Sequence, residues 1–162
     1  MSTTSTLPPL ARAALLGVLS GSRSATPLAV LALNQRAEEA RGAWQSWRLF
    51  RSWPGRAALI AAGAGELVGD KLPATPSRVA PGPLFGRAVA GAVVGLAVAD
   101  PDHGGPRLAG AVIGAVGALA GSWLFYLARK SVVDRTGLPD LVVALAEDAV
   151  TVSSAFSVVR SR

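Results

Sequence analysis

Cysteine is absent from this chain, and histidine occurs once, at His103. Without thiols there can be no disulfide staple, thiolate metal site or cysteine nucleophile, and a lone imidazole narrows the remaining acid–base and metal chemistry further. Charge and aromatic rings are also scarce, at 16% and 6% of residues. A water-soluble domain of 162 residues would be poorly covered by so little charge, and its core would lack large side chains, because the apolar residues are mostly Ala, Val, Leu and Gly. What the chain does have is a 51% hydrophobic content, 18 glycines and a positive mean hydropathy of +0.42. Together these predict a single integral membrane domain over residues 1–162, an all-α, multi-span transmembrane helix bundle whose glycines allow close helix contacts.

The formal net charge is +6. Its lysines and arginines are scattered between apolar runs and form no dense tract, which argues against nucleic acid as a partner and for anionic lipid headgroups beside membrane segments. The expected partner is therefore the bilayer. No cation precedes Arg12 and the first apolar stretch is cut at Arg23, so the start does not read as a cleaved signal peptide.

About five helical segments are expected, some of them short or broken. Leu108 to Ala128 is the strongest, because its 21 uncharged residues would extend about 32 Å as a helix, enough for a hydrocarbon core of about 30 Å. Trp123 and Tyr126, close to Arg129 and Lys130, make an interfacial anchor at its end. The weaker segments are Pro9 to Leu33, Ala57 to Leu72, Leu84 to Ala99 and Leu138 to Val159, each interrupted by charge, proline or a polar stripe. Glycines recur at four-residue spacing in four of the five: Gly17 and Gly21, Gly65 and Gly69, Gly91 and Gly95, Gly110 and Gly114 with Gly117 and Gly121. This spacing suits helix packing in lipid, within one chain or in a homo-oligomer. Under five spans the two sides carry nearly equal numbers of Lys and Arg, so charge gives no orientation.

Residues 34–56 hold Trp44, Trp47, Phe50 and Trp53 among Arg41, Arg48, Arg51 and Arg56. They read as an interfacial Trp/Arg-rich segment, with rings at the membrane boundary and guanidiniums in water.

Ionisable residues inside the apolar segments are the candidate functional site. In GELVGDKLP, Glu66 and Asp70 stand four apart, on one face of a helix that Pro73 limits. Two such carboxylates repel in a dry site, so protonation, a cation or basic partners such as Lys71 and Arg23 must compensate. Arg23 lies in GSRSATP, where small polar residues and Pro27 predict a break or kink. The last segment is amphipathic: Leu141, Leu145, Ala149, Val152, Phe156 and Val159 fall on one face, and Asp140, Glu147, Thr151 and Ser154 on another that should turn inward. Arg23, Glu66, Asp70, Lys71, Glu147 and Asp148 are thus expected to converge on a buried polar site, because intramembrane ionisable groups mark ion, proton or substrate paths. The competing reading places these charges at the membrane surface, capping short helices. No spaced ligand motif specifies a metal, and nothing predicts a cofactor. His103, in DPDHGGP, reads as a solvated turn residue. No catalytic triad, phosphate loop or nucleotide fingerprint is present, and an enzyme is not expected.

The strings GSRSATP, GELVGDKLPATPSR, FGRAVAGA from Phe85 and LPDLVVALAEDA from Leu138 resemble, in order over almost the whole chain, the bacterial membrane-protein family called domain of unknown function 4126. The E-x-x-x-D-K-x-P element is the most specific of them. The resemblance implies a small, all-helical, multi-pass protein of the bacterial inner (plasma) membrane, with no established activity to carry across. It also implies recurrent polar positions at Arg23, Pro27, Glu66, Asp70, Lys71, Pro73, Arg78, Arg87, Glu147 and Asp148.

The function expected is the binding or passage of a small ion or solute, with Glu66 and Asp70 binding a cation or exchanging protons, and Arg23 and Lys71 balancing them or holding an anionic group. One alternative is a non-catalytic membrane scaffold or assembly protein. A further one is a membrane-embedded enzyme acting on lipid headgroups through the same carboxylates.

Overall fold

A computed structural model describes residues 7–37, 42–70, 77, 79–99 and 107–161. Lys71, Pro73, Arg78 and His103 lie outside the described residues. Those described fold into seven α-helices and one 3₁₀ turn, with no strand among them: α1 (Pro9–Ser22), α2 (Thr26–Leu33), the 3₁₀ turn (Ala43–Ser46), α3 (Arg48–Arg51), α4 (Trp53–Gly69), α5 (Pro81–Val98), α6 (Arg107–Thr136) and α7 (Asp140–Arg160). Three of these, α5, α6 and α7, are long and apolar enough to cross a membrane.

Local chemistry sets the helix limits. Prolines stand in the first turns of α1, α2, α4 and α5, where the missing N–H costs nothing. The Ser52 hydroxyl caps α4 by accepting from the Gly55 N–H at 3.2 Å. Between α6 and α7 the chain turns at Gly137, with φ +66°, the left-handed conformation that glycine takes without strain.

The segment expected at Pro9 to Leu33 does more than kink. Arg12 at the start of α1 donates to Ser161 O, Ser22 and Arg23 at the break bond to Glu147 and Asp148, and Asn34 past α2 accepts from Arg160 at 2.8 Å. Both arms therefore lead from the middle of α7 to the same end of it. The α1–α2 pair is a hairpin that folds back, and Pro27, in the first turn of α2, starts the returning arm instead of bending a through-going span. The helix α4 runs antiparallel to α2, from Arg56 near Gln35 to Asp70 beside Arg23. Residues 81–98 then run toward the Arg160 end, α6 away from it, and α7 back.

Burial is not that of a water-soluble protein: beside an apolar core of residues such as Leu16, Leu31 and Val94, polar groups are buried and large apolar ones exposed. Arg23, Ser22, Arg87, Ser122, Asp148 and Thr151 are buried, whereas Phe85 and Leu108 are 71% and 77% exposed and the outer faces of α6 and α7 carry a row of exposed Leu and Val. An apolar surface so continuous is stable against lipid and not against water. The acid face of α7 turns inward only in part: Thr151 is buried and Glu147 meets Ser22, but Asp140 is exposed, and the buried stripe is Ala144, Asp148, Thr151, Ala155 and Val159, the last from the face expected outside, with Leu141 and Leu145 exposed.

Glycines bring α1, α5 and α6 together. A Cβ at Gly17 would lie 2.5 Å from Gly114 O, and one at Gly110 would lie 2.6 Å from Gly95 O; Gly21, Gly91, Gly117 and Gly121 are crowded by facing backbone in the same way. The pair Gly65 and Gly69 departs from expectation: nothing lies within 4 Å of where their Cβ atoms would be. Their spacing is right, but they face away from every described neighbour.

The Trp/Arg-rich segment also differs from its reading as rings lying at the boundary. Trp44 and Phe50 are buried inside the protein, edge to face with centroids 5.2 Å apart, while Trp53 is exposed. The 3₁₀ turn and α3 fold these two rings inward, and Arg48 and Arg51 stay outside.

Candidate functional site

The α1–α2 hairpin leaves backbone groups without helical partners at its tip, carbonyls at the end of α1 and N–H groups at the start of α2. In a low-dielectric surrounding these must be satisfied by the protein. Side chains from three other helices do so. Arg87 of α5 donates through Nη1 to both Gly21 O and Ser22 O, at 2.6 Å each. Ser122 of α6 adds its hydroxyl to Gly21 O at 3.3 Å. On the other arm, Glu66 of α4 accepts from Ser24 N at 2.6 Å, Ala25 N at 2.7 Å and the Ser24 hydroxyl at 2.5 Å. A carboxylate at a helix start also meets the positive end of the helix dipole.

Arg23 is the centre of the cluster and is completely buried. Its Nε donates to Asp148 Oδ1 at 2.7 Å and its Nη2 stands 2.6 Å from the same oxygen. Its Nη1 donates to Asp70 Oδ2 at 2.7 Å and to Ser22 O at 3.1 Å, with Glu147 Oε1 4.0 Å away. Glu147 accepts from Ser22 Oγ at 2.7 Å, and Ser22 Oγ lies 3.0 Å from Thr151 Oγ1. Arg87 Nη2 comes within 3.6 Å of Asp70 Oδ2.

Five of the six expected site residues, Arg23, Glu66, Asp70, Glu147 and Asp148, are therefore brought together; the sixth, Lys71, lies outside the described residues. Among the described residues the two acids of the E-x-x-x-D element do not share a counter-charge. Glu66 takes backbone N–H groups and Asp70 takes guanidiniums, so separate partners relieve their repulsion. Residue-level reasoning missed Arg87, Ser22 and Ser24, whereas Thr151 falls on the face of the last helix expected to turn inward. A signal for Arg87 existed, a single cation inside the apolar run FGRAVAGA. The small hydroxyls carry no such signal, because serine and threonine are common in membrane helices for packing alone.

Beside this cluster is an open-sided cavity of about 410 Å³, lined by Ser24, Leu28, Glu66, Asp70, Arg87 and Ala90 among others. Its size falls in the range of small-molecule sites, and its lining combines these polar groups with apolar residues.

The family model for the domain of unknown function DUF4126 matches residues 10–159. The chain belongs to that family. Within this DUF4126 chain the match takes in every helix that contributes to the cluster. No curated protein and no solved structure matches the chain.

Proposed function

We propose that this DUF4126 chain is a multi-pass protein of the bacterial inner membrane that binds and passes a small solute or ion at the tip of its helical hairpin. The observation that carries the reading is the cavity of about 410 Å³ walled by Glu66, Asp70 and Arg87, beside a completely buried Arg23. Irregular backbone at membrane depth is tolerated where it lines such a cavity, and broken helices with ionisable neighbours are a recurrent way of building solute sites in transporters. Purified protein in liposomes should carry a proton, ion or small-solute flux that Glu66→Gln and Asp70→Asn abolish; undiminished flux in both variants would end the assignment.

One observation favours a scaffold as the second reading: protein donors already meet Glu66, Asp70, Glu147 and Asp148. A static lock of this kind loses stability in the neutral variants and has no flux to lose, so the same experiment separates the two.

The fold-back of α1–α2 also supports an orientation that five through-going spans do not give. Among the described residues Arg12, Arg36, Arg48, Arg51, Arg56, Arg107 and Arg160 belong to the Arg160 end, against Arg129, Lys130 and Arg135 at the other. The positive-inside rule then puts the Arg160 end in the cytoplasm. Because the chain has no cysteine, an Arg36→Cys variant should resist an impermeant thiol reagent in intact cells while Lys130→Cys reacts; the opposite pattern would reverse the orientation.

A further inference from the structure

Two guanidiniums converge on one oxygen at the hairpin tip. Asp70 Oδ2 lies 2.7 Å from Arg23 Nη1 and 3.6 Å from Arg87 Nη2. Neither guanidinium depends on that oxygen for its position. Arg23 is held on its other edge by Asp148 and through Nη1 itself by Ser22 O, and Arg87 by Gly21 O and Ser22 O. The result is a seat for an anionic oxygen built by α1, α5 and α7, with the oxygen supplied by the end of α4.

That supplier is the least embedded of the long helices. Only Gly63 of α4 is buried, and Asp70 follows its last turn as the cap residue. The side chain of Asp70 keeps 19% of its exposure where that of Arg23 keeps none, and Asp70 and Arg87 both face the cavity.

We infer that this two-arginine seat is the recognition element of the cavity, and that its ligand is a small oxyanion, a carboxylate or phosphate, which takes the place of Asp70. The inference rests on the solute-binding reading above and commits it to a chemical class. Guanidiniums bind carboxylate and phosphate oxygens by charge-assisted hydrogen bonds in a fixed planar fork. Exchanging one such oxygen for another leaves the buried charge balance as it was, whereas withdrawing Asp70 with no replacement takes from both guanidiniums an acceptor that they share. A cation brought to Asp70 would have to compete with both guanidiniums and sit in their repulsive field. Asp70 is thereby an internal occupant: its departure with the end of α4 opens the seat, and its return expels the ligand.

The test is an equilibrium measurement in detergent, with no bilayer or gradient. Asp70→Ala and Asp70→Ser empty the seat, so both should melt below the unaltered protein in chloride. Sodium acetate or inorganic phosphate, titrated at constant ionic strength, should raise the melting temperature of both variants saturably, as ligand linkage requires. The unaltered protein should need far higher concentrations, and adding Arg87→Gln to Asp70→Ala should abolish the response. Two outcomes overturn the inference: no shift with either anion in whichever of the two variants folds, or an equal shift with chloride. Failure here is distinguishable from failure of transport. An Asp70-dependent cation flux without anion binding removes the oxyanion alone, and saturable anion binding without any flux removes transport and leaves the seat.

Discussion

The two halves of this molecule are held together by opposite means. Between α1, α5 and α6 the backbones touch through glycines, with no room for a single added carbon at Gly17, Gly91, Gly95, Gly110 or Gly114. Between α4 and the rest, beside the apolar contacts of Leu59 and Ile60 with the core and of Gly63 with Ala29, the bonds are polar, Glu66 to the start of α2 and Asp70 to Arg23 and Arg87. In lipid there is no hydrophobic force between helices, so close van der Waals packing and hydrogen bonds are the forces that remain. Close packing is short-ranged and tolerates no displacement. Ion pairs beside a cavity can be exchanged for other ion pairs, and this difference makes the first half a frame and the second half the element able to respond to a ligand.

The largest effect is expected where the frame is tightest. Gly114 meets the backbone of α5 at Gly91 and that of α1 at Gly17, so Gly114→Leu should prevent the three helices from assembling, a loss of about 3 kcal/mol or more by overpacking. Size-exclusion profiles and thermal unfolding in detergent measure it. A well-folded Gly114→Leu monomer would show that the glycine contacts are incidental.

Next comes the centre of the polar half. Arg23→Gln leaves Asp148 and Asp70 without their shared guanidinium at a completely buried position, and removing one partner of a buried ion pair costs about 3–5 kcal/mol. Pairing Arg23→Gln with Asp148→Asn should recover part of that loss, because the second change removes the charge of the more buried of the two stranded carboxylates. Additive losses in this double variant would mean that the two residues do not act as a pair.

The smallest effect has the opposite sign. Gly65→Ala has open space around the new methyl group and replaces glycine inside α4, so it should stabilise by about 0.5–1 kcal/mol. Unfolding by denaturant, with Gly17→Ala as the destabilising counterpart, would sharpen the contrast between a glycine that packs and one that only resembles it in spacing.

That contrast also shows how far the sequence could be read. Spacing identified eight glycines of the α1–α5–α6 seam, Gly17, Gly21, Gly91, Gly95, Gly110, Gly114, Gly117 and Gly121, and it identified Gly65 and Gly69 with equal force. A four-residue interval says that two residues share a helix face, but not whether another helix lies opposite that face. The candidate site was more legible, because a charge in an apolar segment has to be compensated, and few charges were available to do it. Arg23, Glu66, Asp70, Glu147 and Asp148 could be gathered on that ground. Their pairing could not, since helices of unknown direction leave every cation–anion combination open. Trp44 and Phe50 failed for a related reason. Aromatic residues among arginines suit a membrane boundary in any extended helix, and only the tight turns at Ala43–Ser46 and Arg48–Arg51 bring the two rings inside.

Composition by itself determined the solvent: with so few charges and so many small apolar residues, the surface had to be covered by something other than water, and helices had to supply the backbone hydrogen bonds. Periodicity and charge placement determined which faces turn inward, because a buried charge must find a partner wherever the chain leads it. The direction of α2 was decided by tertiary structure alone. A break at Arg23 permits either continuation or return, and the bonds from Arg12 to Ser161 and from Arg160 to Asn34 hold both arms at one end of α7. That return is what brings Glu66, Asp70 and Arg87 to one tip, and with them the seat and the cavity.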